Sequence, residues 1–278
     1  MSKKLHIFLS DVHLGLKAFD PVKREAAFAD FLNNLPKETE SLYLLGDIFD
    51  FWYEYKYVIP KGFTRTLGAL ANLSDRGVKI YFFKGNHDLW TFGYLEKEVG
   101  VKILDDPTVV DIAGVKFCLA HGDELGDENG QKFLKRLFRN RFLQACFSAL
   151  HPRWAFAIAL RWSKHNRLSK GEQFKFRGDK DPLYKFATEF EKKNNTDYFI
   201  FGHIHTPGNT KRQWEQVSTY WVSGYTVASI WFLIRKQSSY RGPVLKKREV
   251  KIVKRSSLIH LNKLFSKFIV TKSVVGFS

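Results

Sequence analysis

The chain has 278 residues, of which 44% are hydrophobic and 16% aromatic, and a formal net charge of +17. These values exclude a disordered or collagen-like chain, and two cysteines exclude a small disulfide-built scaffold. The length permits one or two domains with a sizeable core. Before Asp11 the only apolar run is Leu5 to Leu9, and this N-terminal segment does not resemble a signal peptide. We therefore expect a reducing, cytoplasmic location.

Short apolar stretches alternate with helical stretches over the first two hundred residues. Two helices are predicted, Val22–Leu35 and Thr64–Arg76, and Gly77 closes the second. The alternation predicts a layered α/β or α+β fold. The predicted strands are Leu5–Ser10, Ser41–Leu45, Lys79–Phe83, Lys116–Ala120 and Asp197–Phe201.

Residues 126–167 differ from the preceding part of the chain because aromatic and basic residues occur there together. Phe133, Phe142 and Trp154 are examples of the first kind, and Arg139 and Arg153 of the second. We interpret this segment as a helical insertion that is interrupted at Pro152 and then returns to the core fold.

The segment from Lys211 onward carries +12 of the +17, because fourteen Lys and Arg accompany only Glu215 and Glu249. An anionic partner (nucleic acid or an acidic membrane face) and a solvated tail without a specific partner both fit this asymmetry. Within the segment, Val217–Ile234 is uncharged over eighteen residues and is long enough for a transmembrane helix. Its β-branched and aromatic residues favour two buried strands joined by a turn at Ser223-Gly224.

Five short polar segments each directly follow a predicted strand. The carboxyl ends of strands in an open layered sheet are where residues distant in sequence assemble into one site. We therefore expect the five segments to converge on a single cavity. The segments are Asp11-Val-His13, Gly46-Asp47, Gly85-Asn-His-Asp88, His121-Gly-Asp123 and Gly202-His-Ile-His205.

The residue types in these segments indicate a metal site. Carboxylates, imidazoles and an amide oxygen without a thiolate suit a divalent ion such as Mn, Fe, Zn or Mg. Seven such groups exceed the needs of one tetrahedral ion, so a pair of ions bridged by one carboxylate is expected. Glycines beside the ligands allow sharp turns and a close approach of the ions.

The ordered segments D-x-H, G-D, G-N-H-D, H-G-D and G-H-x-H resemble the signature of calcineurin-like metallophosphoesterases, over about residues 5–207. The resemblance implies a β-sandwich flanked by helices and hydrolysis of a phosphoester or phosphoanhydride by two metal ions. It implies catalytic roles for Asp47 and His87, whereas Asp88 and Asp123 would orient imidazoles. Asp11, His13 and His205 would hold one ion, Asn86, His121 and His203 the other, and Asp47 would bridge them.

Two further features resemble the UDP-2,3-diacylglucosamine pyrophosphatases of lipid A biosynthesis. They are the segment Gly46-Asp-Ile-Phe-Asp-Phe-Trp52 and the basic, aromatic insertion after His121-Gly-Asp-Glu124. This resemblance implies hydrolysis of UDP-2,3-diacylglucosamine to UMP and 2,3-diacylglucosamine 1-phosphate, usually with manganese. It places the substrate against a helical cap, 126–167, and the protein at the cytoplasmic face of the inner membrane as a peripheral protein.

The sequence departs from that second family at two places. His87 stands where many members have Arg, and after His205 the Asn-Leu-Gly-Asp/Glu-Trp-like motif is replaced by Val217-Ser-Thr-Tyr-Trp-Val-Ser-Gly224. We therefore predict a metallophosphoesterase domain over 1–210 and an atypical basic tail over 211–278, either poorly ordered or produced by a shifted reading frame.

Three alternative functions stay open from the sequence. They are a phosphodiesterase or phosphatase acting on nucleotides or nucleic acid, a member of the family impaired by the unusual C-terminal segment, and a non-catalytic scaffold. The base-reading motifs of nucleic-acid-binding modules are absent from the sequence, so we expect no specific nucleic-acid partner.

Overall fold

The computed structural model describes residues 5–17, 20–112, 114–125, 137–169, 180–203, 229–235 and 250–251, with the backbone alone for 162–169 and beyond 229. The described strands are β1 Leu5–Ser10, β2 Thr39–Leu44, β3 Lys79–Phe83, β4 Val101–Leu104, β5 Thr108–Ile112, β6 Val115–Ala120, β7 Tyr198–Phe201, β8 Ser229–Arg235 and β9 Val250–Lys251. The described helices are α1 Pro21–Asn33, α2 Thr64–Asp75, α3 Tyr94–Lys97, α4 Arg141–Ser148, α5 Pro152–Ser169 and α6 Pro182–Lys193.

The described strands form two sheets. One sheet has the order β4-β3-β2-β1-β8-β9, and the other has the order β5-β6-β7. Strands β1 to β4 are parallel to one another, and β6 is parallel to β7. The parallel strands therefore end at common edges, which is the arrangement that brings the loops after them together.

Strand β1 shows why its sequence forms a central strand. Ile7 and Leu9 point into the core that contacts α1 and α2, whereas Phe8 points into the core between the sheets. The ring of Phe8 stacks on Tyr43 of β2 at 4.8 Å and lies 6.1 Å from Phe117 of β6. A strand that is covered on both faces requires apolar residues without alternation, as this run has.

The layers confirm the predicted fold class. Helices α1 and α2 cover the outer face of the larger sheet through Leu32 and Leu70, which belong to its buried core. Helix α6 lies against the smaller sheet, since Phe186 is 6.1 Å from Phe201 between ring centroids. The chain thus forms a sandwich of two sheets with helices on both outer faces.

Helix starts follow capping chemistry that the sequence displays. The Asp20 carboxylate accepts hydrogen bonds from the N–H groups of Val22 and Lys23 at the start of α1. The described part of the predicted insertion contains helices α4 and α5, and the predicted interruption at Pro152 is confirmed, because α5 begins at that residue. The predicted end of the first helix, Leu35, was two residues too late, since α1 ends at Asn33.

Part of the predicted basic tail joins the larger sheet. Strand β8 pairs antiparallel with β1, from Ser10↔Ser229 to Leu5↔Ile234. The described end of the uncharged run Val217–Ile234 is therefore a strand, and residues 217–228 lie outside the described part. None of the described helices combines the length and apolar character needed to cross a membrane. The domain boundary near residue 210 stays a prediction.

Candidate metal centre

The loops after β1, β2, β3, β6 and β7 meet at one edge of the two sheets, as the five polar segments predicted. Asp11, His13, Asp47 and His121 are at most 1% exposed there. Asn86 is exposed and His203 is half-buried at the same site. His205, the seventh predicted ligand, lies outside the described residues.

Asp47 lies at the centre of this arrangement. Its Oδ2 atom is 3.7 Å from His13 Nε2 and 3.5 Å from His121 Nε2. Two groups of potential ligand atoms, each within a span of 4.8 Å, share this carboxylate: His13, Asp47 and His87, and Asp47, His121 and His203. A carboxylate common to two groups has the position that a bridging ligand requires.

The remaining predicted ligands lie close to these groups. The Asn86 Oδ1 atom is 3.4 Å from His121 Nε2. The Asp11 carboxylate accepts a hydrogen bond from the backbone N–H of His203, at 3.0 Å from Oδ1. The rings of His121 and His203 are 5.2 Å apart. Six of the seven predicted ligands thus converge. His87, which was not in the predicted ligand set, lies with His13 and Asp47 in one group.

Backbone carbonyls orient two of the imidazoles. His121 Nδ1 lies 2.8 Å from the Leu45 carbonyl oxygen, and His87 Nδ1 lies 2.9 Å from the Asp50 carbonyl oxygen. A neutral ring that donates Nδ1–H to a carbonyl presents the Nε2 lone pair on its other side. In His121 that atom faces Asp47 and Asn86, so it is available to a cation.

Two carboxylates that support the centre were not predicted. Asp50 Oδ1 lies 3.6 Å from His13 Nδ1 and 3.8 Å from His87 Nδ1, so one carboxylate lies beside both rings. Asp106 accepts a hydrogen bond from the backbone N–H of His121 at 2.9 Å. Asp50 could have been found from its position three residues after Asp47, whereas Asp106 follows β4, a strand that the sequence did not reveal.

Asp88 has a different role from the predicted one. Its carboxylate accepts hydrogen bonds from the backbone N–H groups of Gly85 at 2.8 Å, Ile48 at 2.7 Å and Asp47 at 3.1 Å. It therefore fixes the backbone of two loops that carry predicted ligands rather than an imidazole. Burial, together with the adjacent Asp47 carboxylate, raises the pKa of Asp88 to about 7.

The charges at the centre favour a cation. Burial alone would raise the pKa of Asp47, but the imidazoles of His121 and His87 reverse that effect and hold it well below its usual range. Burial lowers the pKa of His121, and the Asp47 carboxylate more than offsets this, so the net direction is upward. Because the buried carboxylate is stabilised by positive charge, and the donors are oxygen and nitrogen atoms, the residues fit a divalent metal.

Backbone strain is concentrated at the same residues. Within the described part of the chain, the non-glycine residues with positive φ are Asp11, His13, Asp47 and His203. Each belongs to the predicted ligand set. A left-handed backbone costs about 1–3 kcal/mol per residue and persists where the surroundings impose it, commonly at functional sites. A Cβ on Gly46 would lie 2.6 Å from His121 Nδ1, so that position must stay glycine.

Comparisons with known proteins agree with this geometry. A sequence profile of the family described as calcineurin-like phosphoesterase matches residues 7–207. A protein named UDP-2,3-diacylglucosamine hydrolase from Porphyromonas gingivalis is 39% identical over 222 residues, which cover 74% of this chain and 84% of the relative. A protein of the same name from Haemophilus influenzae is 32% identical over 203 residues, with 71% and 81% covered.

Proposed function

The chain belongs to the calcineurin-like phosphoesterase family, and on that premise we propose that it hydrolyses UDP-2,3-diacylglucosamine to UMP and 2,3-diacylglucosamine 1-phosphate in lipid A biosynthesis. The relatives named for this substrate support the choice. The observation that carries the hydrolytic chemistry is the Asp47 carboxylate shared by two groups of imidazoles. The family assignment makes the protein a hydrolase, and the substrate is the proposed part.

We propose that Asp47 bridges two divalent ions, most readily manganese. His13, with Asp11 and His205, would bind one ion, and Asn86, His121 and His203 would bind the other. Such a pair supplies Lewis acidity toward phosphoryl oxygens and activates a water molecule near neutral pH. The fixed Nε2 atom of His121 and the strained backbone at Asp47 support pre-formed ligand positions.

Removal of divalent cations is expected to lower the melting temperature. Manganese at a hundredfold excess over its Kd would stabilise the fold by about 2.7 kcal/mol, because it binds the folded state alone. For a chain of this size that corresponds to a shift of about 5 °C. Thermal unfolding after chelation, followed by titration with Mn²⁺, measures the shift. An unchanged melting temperature at saturating Mn²⁺ would contradict a built metal site.

We propose that His87 donates a proton to the leaving oxygen. In the imidazolium form, Nδ1–H donates to the Asp50 carbonyl at 2.9 Å and Nε2–H is directed to the other side of the ring, so transfer of the Nε2 proton to the leaving oxygen returns a neutral ring. Its backbone N–H donates to Asp47 Oδ1 at 2.9 Å, so the ring is fixed relative to the centre. These contacts would give the proton donor a defined position beside a phosphate bound at the centre.

His87→Asn is expected to slow the hydrolysis of phosphodiesters by a factor that depends on the leaving group. Cleavage of an alkyl nucleotide ester should fall about 100-fold, since an alkoxide needs the proton, and that of the 4-nitrophenyl ester by less than about tenfold. Rates of both esters, measured with metal content, check this. Equal losses for both esters would exclude proton donation, and loss of an ion would identify His87 as a ligand instead.

The helical cap supports a substrate that has both charge and acyl chains. On α4 and α5, Phe142, Trp154 and Ile158 are 74%, 64% and 54% exposed. Arg141 and Arg153 are exposed on the same two helices. Apolar surface next to cations suits acyl chains with a diphosphate, and it also suits an anionic membrane surface.

Product identification tests the proposed substrate. The full chain with Mn²⁺ should release UMP and 2,3-diacylglucosamine 1-phosphate from UDP-2,3-diacylglucosamine, whereas cleavage between the sugar and the β-phosphate would release UDP and the free diacylglucosamine. Turnover of a generic aryl phosphodiester without any turnover of the lipid diphosphate would favour the general phosphodiesterase instead. Absence of turnover on both, in a metal-loaded sample, would indicate the impaired or non-catalytic alternative.

Peripheral contact with the membrane is a separate proposal. We expect co-sedimentation with vesicles that contain phosphatidylglycerol and weaker co-sedimentation with vesicles of phosphatidylcholine alone. Phe142→Ser with Trp154→Ser should weaken the binding, because these exposed rings supply apolar contact. Equal partition of the parent chain and the double variant would argue against contact through the cap.

A further inference from the structure

Aromatic side chains join the cap to the core beside the metal centre. Phe51 and Tyr53 follow Asp47 in the loop after β2, and Trp90 follows His87 in the loop after β3. Ring centroids are 5.1 Å apart for Tyr53 and Phe147 of α4, and 5.0 Å for Phe51 and Phe156 of α5. We call this set the cap-anchor cluster: Phe51, Tyr53, Trp90, Phe138, Phe147 and Phe156.

Two side chains of the cluster also donate hydrogen bonds across the junction. Trp90 Nε1–H donates to the Phe138 carbonyl at 2.9 Å, and the Tyr53 hydroxyl donates to the Gln144 carbonyl at 2.8 Å. The Gln144 side-chain amide donates to the same Phe138 carbonyl at 2.8 Å. Gln144 therefore links both bonds, and residues 138–144 of the cap are fixed at two points.

The core side of this junction is rigidly joined to the metal ligands. The backbone N–H of Glu54 donates to the Trp90 carbonyl at 3.1 Å, and that of Trp52 donates to the His87 carbonyl at 3.2 Å. The Glu54 carboxylate also accepts from Trp52 Nε1 at 3.1 Å and from the Tyr94 N–H at 3.0 Å. The loops that carry Asp47 and His87 are thus one unit.

The cap side depends on the anchors. None of the eight residues of α4 is buried. Its position relative to the core therefore depends on the contacts of Phe147 and Gln144 with Tyr53 and Trp90. A helix with few buried contacts has a low free energy of local opening, so loss of an anchor should change its position before it changes the core.

We propose that Tyr53 and Trp90 are positioning residues that hold the cap in register with the metal-ligand loops. In that register the cap binds the acyl chains while the diphosphate lies at the metal centre. A small phosphodiester that does not reach the cap needs no such register. The anchors therefore set the affinity for a long substrate and leave chemistry at the centre unchanged. The substrate part of this inference rests on the proposed function.

Variants that remove the donors and keep an aromatic ring test the proposal. Tyr53→Phe keeps the same ring and should raise KM for UDP-2,3-diacylglucosamine about 5-fold, the usual effect of one hydrogen bond. Trp90→Phe also replaces the indole by a smaller ring, so it should raise KM by at least about 5-fold. The kcat/KM for bis(4-nitrophenyl) phosphate should stay within about twofold of the parent chain, because the ligand loops keep their internal bonds. Tyr57→Phe is the matched control, since Tyr57 is 85% exposed and outside the cluster.

Hydrogen exchange provides a readout that is independent of activity. In the variant that combines Tyr53→Phe with Trp90→Phe, amides of α4 should exchange faster while those of β1, β2 and β3 keep their protection. If the parent chain does not release UMP, the proposed function fails, and the exchange of α4 still decides whether the anchors hold the cap. Unchanged exchange in α4, unchanged KM, or an equal loss on both substrates would overturn the proposal.

Discussion

Asp47→Ala is expected to abolish turnover. The Asp47 carboxylate lies 3.7 Å from His13 Nε2 and 3.5 Å from His121 Nε2, and it accepts the His87 N–H at 2.9 Å. No other carboxylate among the described residues is shared by the two groups of potential ligands. We expect kcat/KM for UMP release to fall by more than about 1000-fold, beyond the loss of one fixed hydrogen-bond donor.

Asp47→Asn, measured in the same experiment, removes the negative charge of the side chain while nearly keeping its shape. The amide keeps an oxygen that can accept the His87 N–H, but it removes the negative charge between two sites of positive charge. We expect this variant to fold, to bind less metal and to be as inactive as Asp47→Ala. Asp75→Ala is the matched control, because Asp75 is exposed at the end of α2. Near-normal rates in either Asp47 variant, with metal retained, would contradict a bridging role.

The centre was predictable because its residues come directly after apolar runs that predict strands. Asp11 follows the apolar run of β1 directly, and His121 follows that of β6, so each proposed ligand is identified by the strand before it. Strand β1 is buried on both faces, so its sequence is a continuous apolar run rather than an alternation of apolar and polar residues. That run is what predicted the strand. Convergence then followed from the parallel direction of the strands, which needs no knowledge of individual contacts.

The parts that were missed have no such signal in the sequence. Strand β4 has four residues and β5 follows the burial pattern of an edge strand, with Val109 40% exposed. Neither presents an apolar run, so Asp106 had no strand to identify it. The role of Asp88 depends on backbone N–H groups about forty residues away, and side-chain types carry no record of such bonds.

Among conservative substitutions at the centre, Gly85→Ala is expected to cause the largest loss of activity and metal binding. A Cβ at this position would lie 2.2 Å from Asp47 Oδ1 and 2.4 Å from the Asp47 backbone nitrogen. Gly85 is not among the glycines with positive φ, so the effect is steric and not conformational. Since the backbone nitrogen cannot rotate away, the loop after β2 must move, and with it the carboxylate.

We expect Gly85→Ala to reduce kcat/KM by at least about 100-fold, because a displacement of about 1 Å at a reacting centre has that effect. Metal content should fall with activity. Gly68→Ala is the matched control, since a Cβ in that part of α2 would meet nothing within 4 Å. Alanine within a helix is favoured over glycine by about 0.5–1 kcal/mol, so this control should raise the melting temperature slightly and leave turnover unchanged. A Gly85→Ala protein with the activity and metal content of the parent chain would show that the loops of Asp47 and Gly85 are not in contact, and the shared carboxylate would lose its structural basis.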